Sequence, residues 1–157
     1  MARTTFYDTF TGTCTGQDMQ DFLGAHFNEA RLLEEVNRVS NHYHFAEVDG
    51  EPAGYIQFAE DYSGLPLMRQ WKSLELKRIY VLKEYHGKGI AQQLMALFLA
   101  YAQEHRYEAV WLGVWEHNLR AQQFYKKYGF EDSGHTHDFP IGNTPQTDVW
   151  MWRKIGN

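Results

Sequence analysis

The stretch that most limits how this chain can fold is a glycine turn set between an alternating apolar run and a long amphipathic one. Leu74-Glu75-Leu76-Lys77-Arg78-Ile79-Tyr80-Val81-Leu82 is rich in residues that suit a half-buried strand. Beyond Tyr85-His86-Gly87-Lys88-Gly89-Ile90-Ala91, the residues Ile90, Leu94, Leu97, Phe98 and Tyr101 recur at helical spacing, which predicts a helix to about Glu104. The order is strand, glycine turn, helix start. The first amides of a helix have no intrahelical partner and sit at the positive end of its dipole, so a glycine turn there can close around an anion such as a phosphate.

A second pair of elements follows. Ala109-Val110-Trp111-Leu112-Gly113-Val114 reads as a strand. The segment from Asn118 to Phe130 begins on a good helix cap and ends at Gly129. Glycine loops also serve dinucleotide and nucleoside triphosphate sites, and neither pattern fits. Gly87-Lys88-Gly89 lacks the Gly-Lys-Ser/Thr ending, and a dinucleotide site needs repeated strand-helix-strand units with an acidic residue about 20 positions on.

Together these residues resemble the GNAT superfamily of acyl-CoA N-acyltransferases, whose pyrophosphate loop reads Gln/Arg-x-x-Gly-x-Gly/Ala and whose later helix carries an Asn and a Tyr. His86-Gly87-Lys88-Gly89-Ile90-Ala91 fits the loop with His86 in place of Gln or Arg, and Asn118 with Phe124-Tyr125 follows in order. The similarity runs from about Phe6 to Ile155. Within the superfamily, Leu112-Gly113-Val114-Trp115-Glu116, Phe124-Tyr125-Lys126-Lys127 and the closing Gln146-Thr147-Asp148 resemble the PaiA-type polyamine acetyltransferases.

The rest of the chain bounds this reading. At 157 residues it has the length of a single domain, 1-157, able to bury a real core. Aromatics at 16 % argue against disorder. A net charge of -5 without a basic cluster argues against nucleic-acid binding. No apolar run is long enough for a membrane span and no signal-peptide core opens the chain, so a cytoplasmic protein is expected. The single Cys14 reads as a small side chain near the surface of a helical region rather than a nucleophile.

Two short helices are expected in the first forty residues, from Gln17 to about His26 and, capped by Asn28, from Glu29 to about Val39 with Leu32, Leu33, Val36 and Val39 recurring. The family opens with a strand before its first helix, and here Thr5-Phe6-Tyr7-Asp8-Thr9-Phe10 stands instead, so that strand is missing. Either the natural start lies upstream or the sheet has lost an edge strand, which would invite partner pairing. His42 to Val48 and Ala53 to Ala59, joined through Asp49-Gly50, read as a hairpin. His42 and His44 share a strand face, as do His135 and His137, but no Cys or carboxylate spacing completes a set, so no metal is expected. Residues 60–70 are loop-like, and in the family this loop borders the acceptor site. The tail reads as two further strands around Gly142-Asn143-Thr144-Pro145, with Trp150 and Trp152 on one face as sheet core or dimer contact.

The resemblance implies an α+β GNAT fold with a mixed, mostly antiparallel sheet and helices on both faces. It also implies direct transfer of an acetyl group from acetyl-CoA to a primary amine, through a ternary complex and without a metal. The backbone of Ile79, Tyr80 and Val81 then meets the thioester and pantetheine arm, where the family's strand is splayed by a bulge. The loop from His86 through Gly87, Lys88, Gly89 and Ile90 to Ala91 holds the pyrophosphate; Asn118 holds the cofactor, and Lys127 or Lys126 reaches its phosphates. Lys88 reads equally well as an exposed lysine in a polar turn. Tyr125 corresponds to the general acid, worth about 10² to 10⁴ in rate.

An alkylammonium with a pKa near 10.4 must lose a proton at a cost of roughly 4.6 kcal/mol at neutral pH. Glu75 occupies a position where some members carry the base; a water chain, or pairing of Glu75 with Lys77 or Arg78, are the other readings. Polyamines are the first acceptor class, since the acidic surplus, with Glu60-Asp61 in the acceptor loop, attracts a polycation. The family is also compatible with a homodimer. Acetylation of a peptide N-terminus or lysine, and a noncatalytic acyl-CoA-binding module, satisfy the same motifs.

Overall fold

The computed structural model describes residues 1–156; Asn157, the last residue of the expected domain, lies outside the described residues. Three helices, α1 (Ala2–Phe10), α2 (Gly16–His26) and α3 (Glu29–Asn37), precede the first strand. Then come β1 (Asn41–Val48), β2 (Glu51–Ala59), β3 (Ser73–Val81), α4 (Ile90–Glu104), β4 (Ala109–Trp115), α5 (Leu119–Lys127), β5 (Glu131–Asp138) and β6 (Thr147–Lys154). The six strands form one sheet in the order β1-β2-β3-β4-β6-β5. All neighbours are antiparallel except β3 and β4, whose parallel pairing requires a crossover that α4 supplies. This is the mixed α+β architecture expected, and the described sheet begins at Asn41 with no strand before it.

Helices cover both faces. On one, Leu94, Met95 and Phe98 of α4 pack with Ile56, Phe58, Leu76 and Leu112, joined by Tyr125 of α5. Trp111 is the neighbour of Leu112 and so faces the other way. There it meets Trp150, Leu65 and Met68, the last two from the β2–β3 connection. Trp150 is thus sheet core, and Trp152 stacks on Trp71. Also on that face, Phe6, Phe10, Met19, Leu23 and Phe27 of α1, α2 and the α2–α3 turn form a cluster with Ile141, against which Trp115 packs.

The sequence pattern departs from the structure at the N-terminus. Three helices stand where two were expected, because Ala2–Phe10 is helical despite its three threonines. The Thr5 and Thr9 hydroxyls donate to the carbonyls of Met1 and Thr5 one turn back, and Phe6 and Phe10 bury their rings. Tertiary packing overrides propensity here. Conversely, α3 buries none of its residues, and Leu33, Val36 and Val39 are exposed. Leu97 of α4 is exposed as well, its place in the core taken by Met95 and Ala102.

The expected hairpin forms. Asp49 and Gly50 adopt φ of 52° and 83°, the left-handed pair a two-residue turn needs. Its partner strand β3 holds the feature that makes a site. Gln57 pairs with Arg78 but Phe58 pairs with Leu76, so Lys77 is an extra residue bulged out of the ladder. On its other side β3 pairs with β4 only from Ser73 to Leu76. Beyond the bulge the two strands part, leaving a gap in the middle of the sheet.

Candidate active site

The cradle at the end of β3 is built by two glycines. After Val81 the chain makes one 3-10 turn, Lys83–Tyr85, and enters α4 through Gly87 and Gly89, both at φ 77°. That conformation costs any residue with a Cβ about 1–2 kcal/mol. It leaves the amides from Gly87 to Gln92 without a main-chain acceptor among the described residues; Gln93 is the first to bond, to the Gly89 carbonyl. A row of free donors at the positive end of a 15-residue helix is a site for phosphate oxygens. His86 serves the loop differently. Its amide donates to the Lys83 carbonyl, and its Nε2 lies 2.8 Å from the Val81 carbonyl, which fixes the Nε2–H tautomer and ties the loop to the strand end.

A cavity of about 470 Å³ runs from this cradle into the gap between β3 and β4. Its walls include Ile79, Tyr80, Val81, His86, Gly87, Gly89, Ile90, Ala91, Asn118 and Tyr125, all singled out in the sequence. Two of the expected cofactor-binding residues lie outside it. Lys88 turns back over the Tyr85 ring, 5.1 Å from its centre, and Lys127 is exposed on α5. The cations at the wall are Arg120 and Lys83 instead, the latter paired with Asp8 at 3.2 Å.

A second cavity of about 270 Å³ meets the first at Ile79, Tyr80, Trp115, Asn118 and Tyr125. Its other walls come from Phe6 and Phe10 of α1, from β3 and β4, and from Phe139 and Asp148, while α1 lines the larger chamber too through Thr5, Asp8 and Thr9. Tyr125 stands at their junction, buried, with its hydroxyl free of any hydrogen bond among the described residues. Burial first, then the neighbouring Tyr80 and the charge of Asp148, hold its pKa far above that of a free tyrosine. The phenol therefore stays protonated through neutral pH and can act as a donor. Trp115 brings a buried indole N–H without an acceptor to the same place. Asn118 caps α5, its side-chain oxygen accepting from the Ala121 amide at 3.1 Å, and keeps its amide hydrogens for the cavity.

The charges around the gap are mostly neutralised in place. Lys77 stands two residues from Glu75 on β3, and its Nζ lies 3.2 Å from that carboxylate and 2.8 Å from Asp61. Burial raises the pKa of Glu75 while Lys77 opposes the rise. Glu75 forms no part of either cavity wall. Arg78 pairs with Glu35 at 3.0 Å and lies over Phe27. The 60–70 loop also contributes no wall residue: Asp61 is held by Lys77, and Glu60 accepts from the hydroxyls of Tyr62 and Tyr107. The unpaired acid of the smaller chamber is Asp148 on β6, pushed up to about 7 by burial.

Sequence reasoning missed Asp148, Arg120 and Trp115. The Gln146-Thr147-Asp148 triplet was legible as a motif, but only strand pairing brings it beside Tyr125. Among the described residues no three His, Cys, Asp or Glu side chains are grouped to hold a metal, and no helix is long and apolar enough to cross a membrane. His42 instead lies 3.2 Å from the Tyr101 hydroxyl. Cys14 sits in the α1–α2 turn, outside both cavities.

Comparisons with known proteins agree with this geometry. The model of the acetyltransferase (GNAT) family matches residues 4–130. An uncharacterized N-acetyltransferase in the pepI 3′ region of Lactobacillus delbrueckii subsp. lactis is 34% identical over 155 residues, covering 99% of this chain and 88% of that one. A shorter match, 30% identical over 60 residues, covers 38% of this chain and 40% of a protein of Bacillus subtilis subsp. natto named "Probable spermine N(1)-acetyltransferase". Among solved structures, PaiA N-acetyltransferase from Thermoplasma acidophilum, in complex with coenzyme A, superposes with a TM-score of 0.75 at 21% identity, over 98% of this chain and 88% of that one.

Proposed function

The chain belongs to the acetyltransferase (GNAT) family and is an acetyl-CoA-dependent N-acetyltransferase of that type, and from this premise we propose that it acetylates an aliphatic primary amine directly, with polyamines such as spermidine or spermine as the acceptor class. The observation that carries the reading is the junction of two chambers at an unpartnered, protonated Tyr125 inside the split sheet.

The larger chamber fits acetyl-CoA in chemistry as well as in place. Free amides from Gly87 to Gln92 with Arg120 nearby suit the phosphates, and the unpaired edge of β3 from Ile79 to Val81 suits the amides of the pantetheine arm. The bound thioester supplies the activated acetyl group. The Tyr125 hydroxyl is the proton donor to the departing sulfur, and its raised pKa keeps that proton available. The amides of the splayed strand are the donors for carbonyl charge. Glu75 stands one layer back, where its role is to hold Lys77 in the bulge that keeps the gap open.

The polyamine reading draws support from the motif resemblance, from the short match to a protein named for spermine acetylation and from the one unpaired carboxyl in the smaller chamber. It assigns the protein to the cytoplasm. The test is release of free CoA from acetyl-CoA with spermidine, spermine, simple alkylamines and short peptides, run beside Tyr125→Phe. Turnover of polyamines that falls about 10² to 10⁴-fold in the variant, with acetyl-CoA affinity intact, is the expected result. Turnover with peptides alone would refute the acceptor class, and an undiminished Tyr125→Phe would refute the proton donor.

A further inference from the structure

The smaller chamber is shaped for one kind of guest. Phe6, Phe10, Phe139 and Trp115 line it with apolar rings, and Asp148 is its one carboxyl. The segments that carry Phe10 and Phe139 are fastened to each other just outside it. The Asp18 carboxylate accepts from the Thr144 hydroxyl at 2.8 Å and from the Asn143 amide at 3.4 Å, while the Gln146 side-chain amide donates to the Thr13 hydroxyl at 3.1 Å. These bonds tie the α1–α2 turn and the first turn of α2 to the β5–β6 connection. A chamber with aromatic walls, two cations already paired with acids outside it and one unpaired acid suits a slender methylene chain ending in an ammonium.

The acid is also seated deliberately. Gly113 on β4 lies beneath it, and a Cβ built there would come 3.1 Å from the Asp148 carboxylate and 2.7 Å from the Trp150 ring. The missing side chain at 113 leaves room for the Trp150 ring first and for the Asp148 carboxylate beside it.

We propose that Asp148 is the acceptor-binding acid of this enzyme: it receives the terminal ammonium of an unbranched aliphatic amine and takes its proton, freeing the nitrogen lone pair. The inference rests on the amine-acetylation reading and names the group that performs its first step. The proton balance closes. One N–H proton passes to the Asp148 carboxylate; the neutral nitrogen forms the C–N bond to the acetyl carbon; the C–S bond breaks and the sulfur takes the Tyr125 proton. The second nitrogen proton returns to Tyr125, and Asp148 releases its own to solvent after product leaves.

The groups around Asp148 are compatible with this role. From β3 they are Lys77 and Arg78, both already paired with acids, and Tyr80; from α5, Tyr125. From β5, His137 stands opposite Asp148 in register, exposed, with its ring against Trp150. Burial brings the carboxyl to about 7, near the optimum for a base working at neutral pH.

The test separates binding from transfer. Protein loaded with free CoA, which has no acetyl group to give, is titrated calorimetrically with spermidine and with a branched alkylamine of the same charge, as wild type, Asp148→Asn and Gly113→Ala. Wild type is expected to bind spermidine in preference to the branched amine, and both variants to lose at least about tenfold of that affinity while CoA affinity holds. Infrared titration is expected to show a protonated-carboxyl band fading around neutral pH in wild type and missing in Asp148→Asn.

In turnover, Asp148→Asn is expected to lose about 10² to 10⁴ of kcat/KM near neutral pH and to recover about tenfold per pH unit as the amine deprotonates by itself. Equal amine affinity in wild type and Asp148→Asn, or superimposable pH profiles, overturns the inference and leaves the acetyltransferase reading standing. Asp148-dependent binding with no acetylated product from any amine overturns the acceptor reading and leaves the ammonium site standing.

Discussion

Replacing Gly89 with alanine isolates the cost of the phosphate cradle. Gly89 sits at φ 77°, and a Cβ there would meet nothing within 4 Å, so no steric term enters and the effect is torsional. An L-residue pays about 1–2 kcal/mol for the left-handed conformation, and the stiffer unfolded chain offsets roughly 0.4–1 kcal/mol of it. A net of about 1 kcal/mol must therefore appear somewhere. If the loop keeps its shape, Tm falls by about 2–4 °C and acetyl-CoA affinity is unchanged. If the loop relaxes, stability is kept, the amides from Gly87 onward swing off the ligand, and Kd for acetyl-CoA rises by about fivefold or more.

Thermal melts and calorimetric titration of the same preparation follow both. Gly24→Ala is the control: it lies inside α2 with open space around it and ordinary helical backbone, so alanine should stabilise by about 0.5–1 kcal/mol. A Gly89→Ala variant that melts higher, like the control, and binds acetyl-CoA as tightly as wild type would refute the cradle argument.

Other outcomes follow from the same structure. Arg120→Ala should weaken acetyl-CoA binding by about fivefold at low salt and less at high salt, because an exposed charge on a phosphate is worth about 1 kcal/mol and is screened; calorimetry at two ionic strengths checks it. Asp148 binds its proton in the folded protein up to about pH 7 but in the unfolded chain only to about 3.8, so its contribution to stability falls as pH rises through that window. Asp148→Asn should therefore melt at the wild-type temperature near pH 4 and above it near pH 8, by at most on the order of 4 kcal/mol; a variant less stable at the higher pH would contradict this. Glu35→Ala leaves the half-buried Arg78 guanidinium and the Tyr43 hydroxyl without their shared acceptor, and should cost about 1–3 kcal/mol in denaturant unfolding.

Local rules made most of the fold legible. The period of 3.6 in α4, alternation in β3 and β4, the Asp49-Gly50 turn and the Asn118 cap are each settled within a few residues of chain, so the strand-glycine-helix unit and the hairpins could be placed in advance. The glycine cradle shares that locality, since two glycines and a helix start make it without help from elsewhere. The N-terminus was different. Whether Ala2–Phe10 is helical depends on what Phe6 and Phe10 can bury against, and those partners, Met19, Leu23, Phe27 and Ile141, lie outside the helix and as far off as the other end of the chain.

The acceptor side was decided by tertiary structure for the same reason. The bulge at Lys77 is a register event between two strands, invisible in either one, yet beyond it β3 and β4 part and the gap begins. Asp148 is an ordinary carboxylate in sequence. It becomes a weak acid beside Tyr125 only because β6 pairs with β4, Gly113 leaves room beneath it and α1 closes over the chamber. The chain order of residues determines backbone conformation through neighbours a turn or a hairpin apart. Desolvation, which turns a side chain into a catalytic group, depends on what the rest of the molecule places around it.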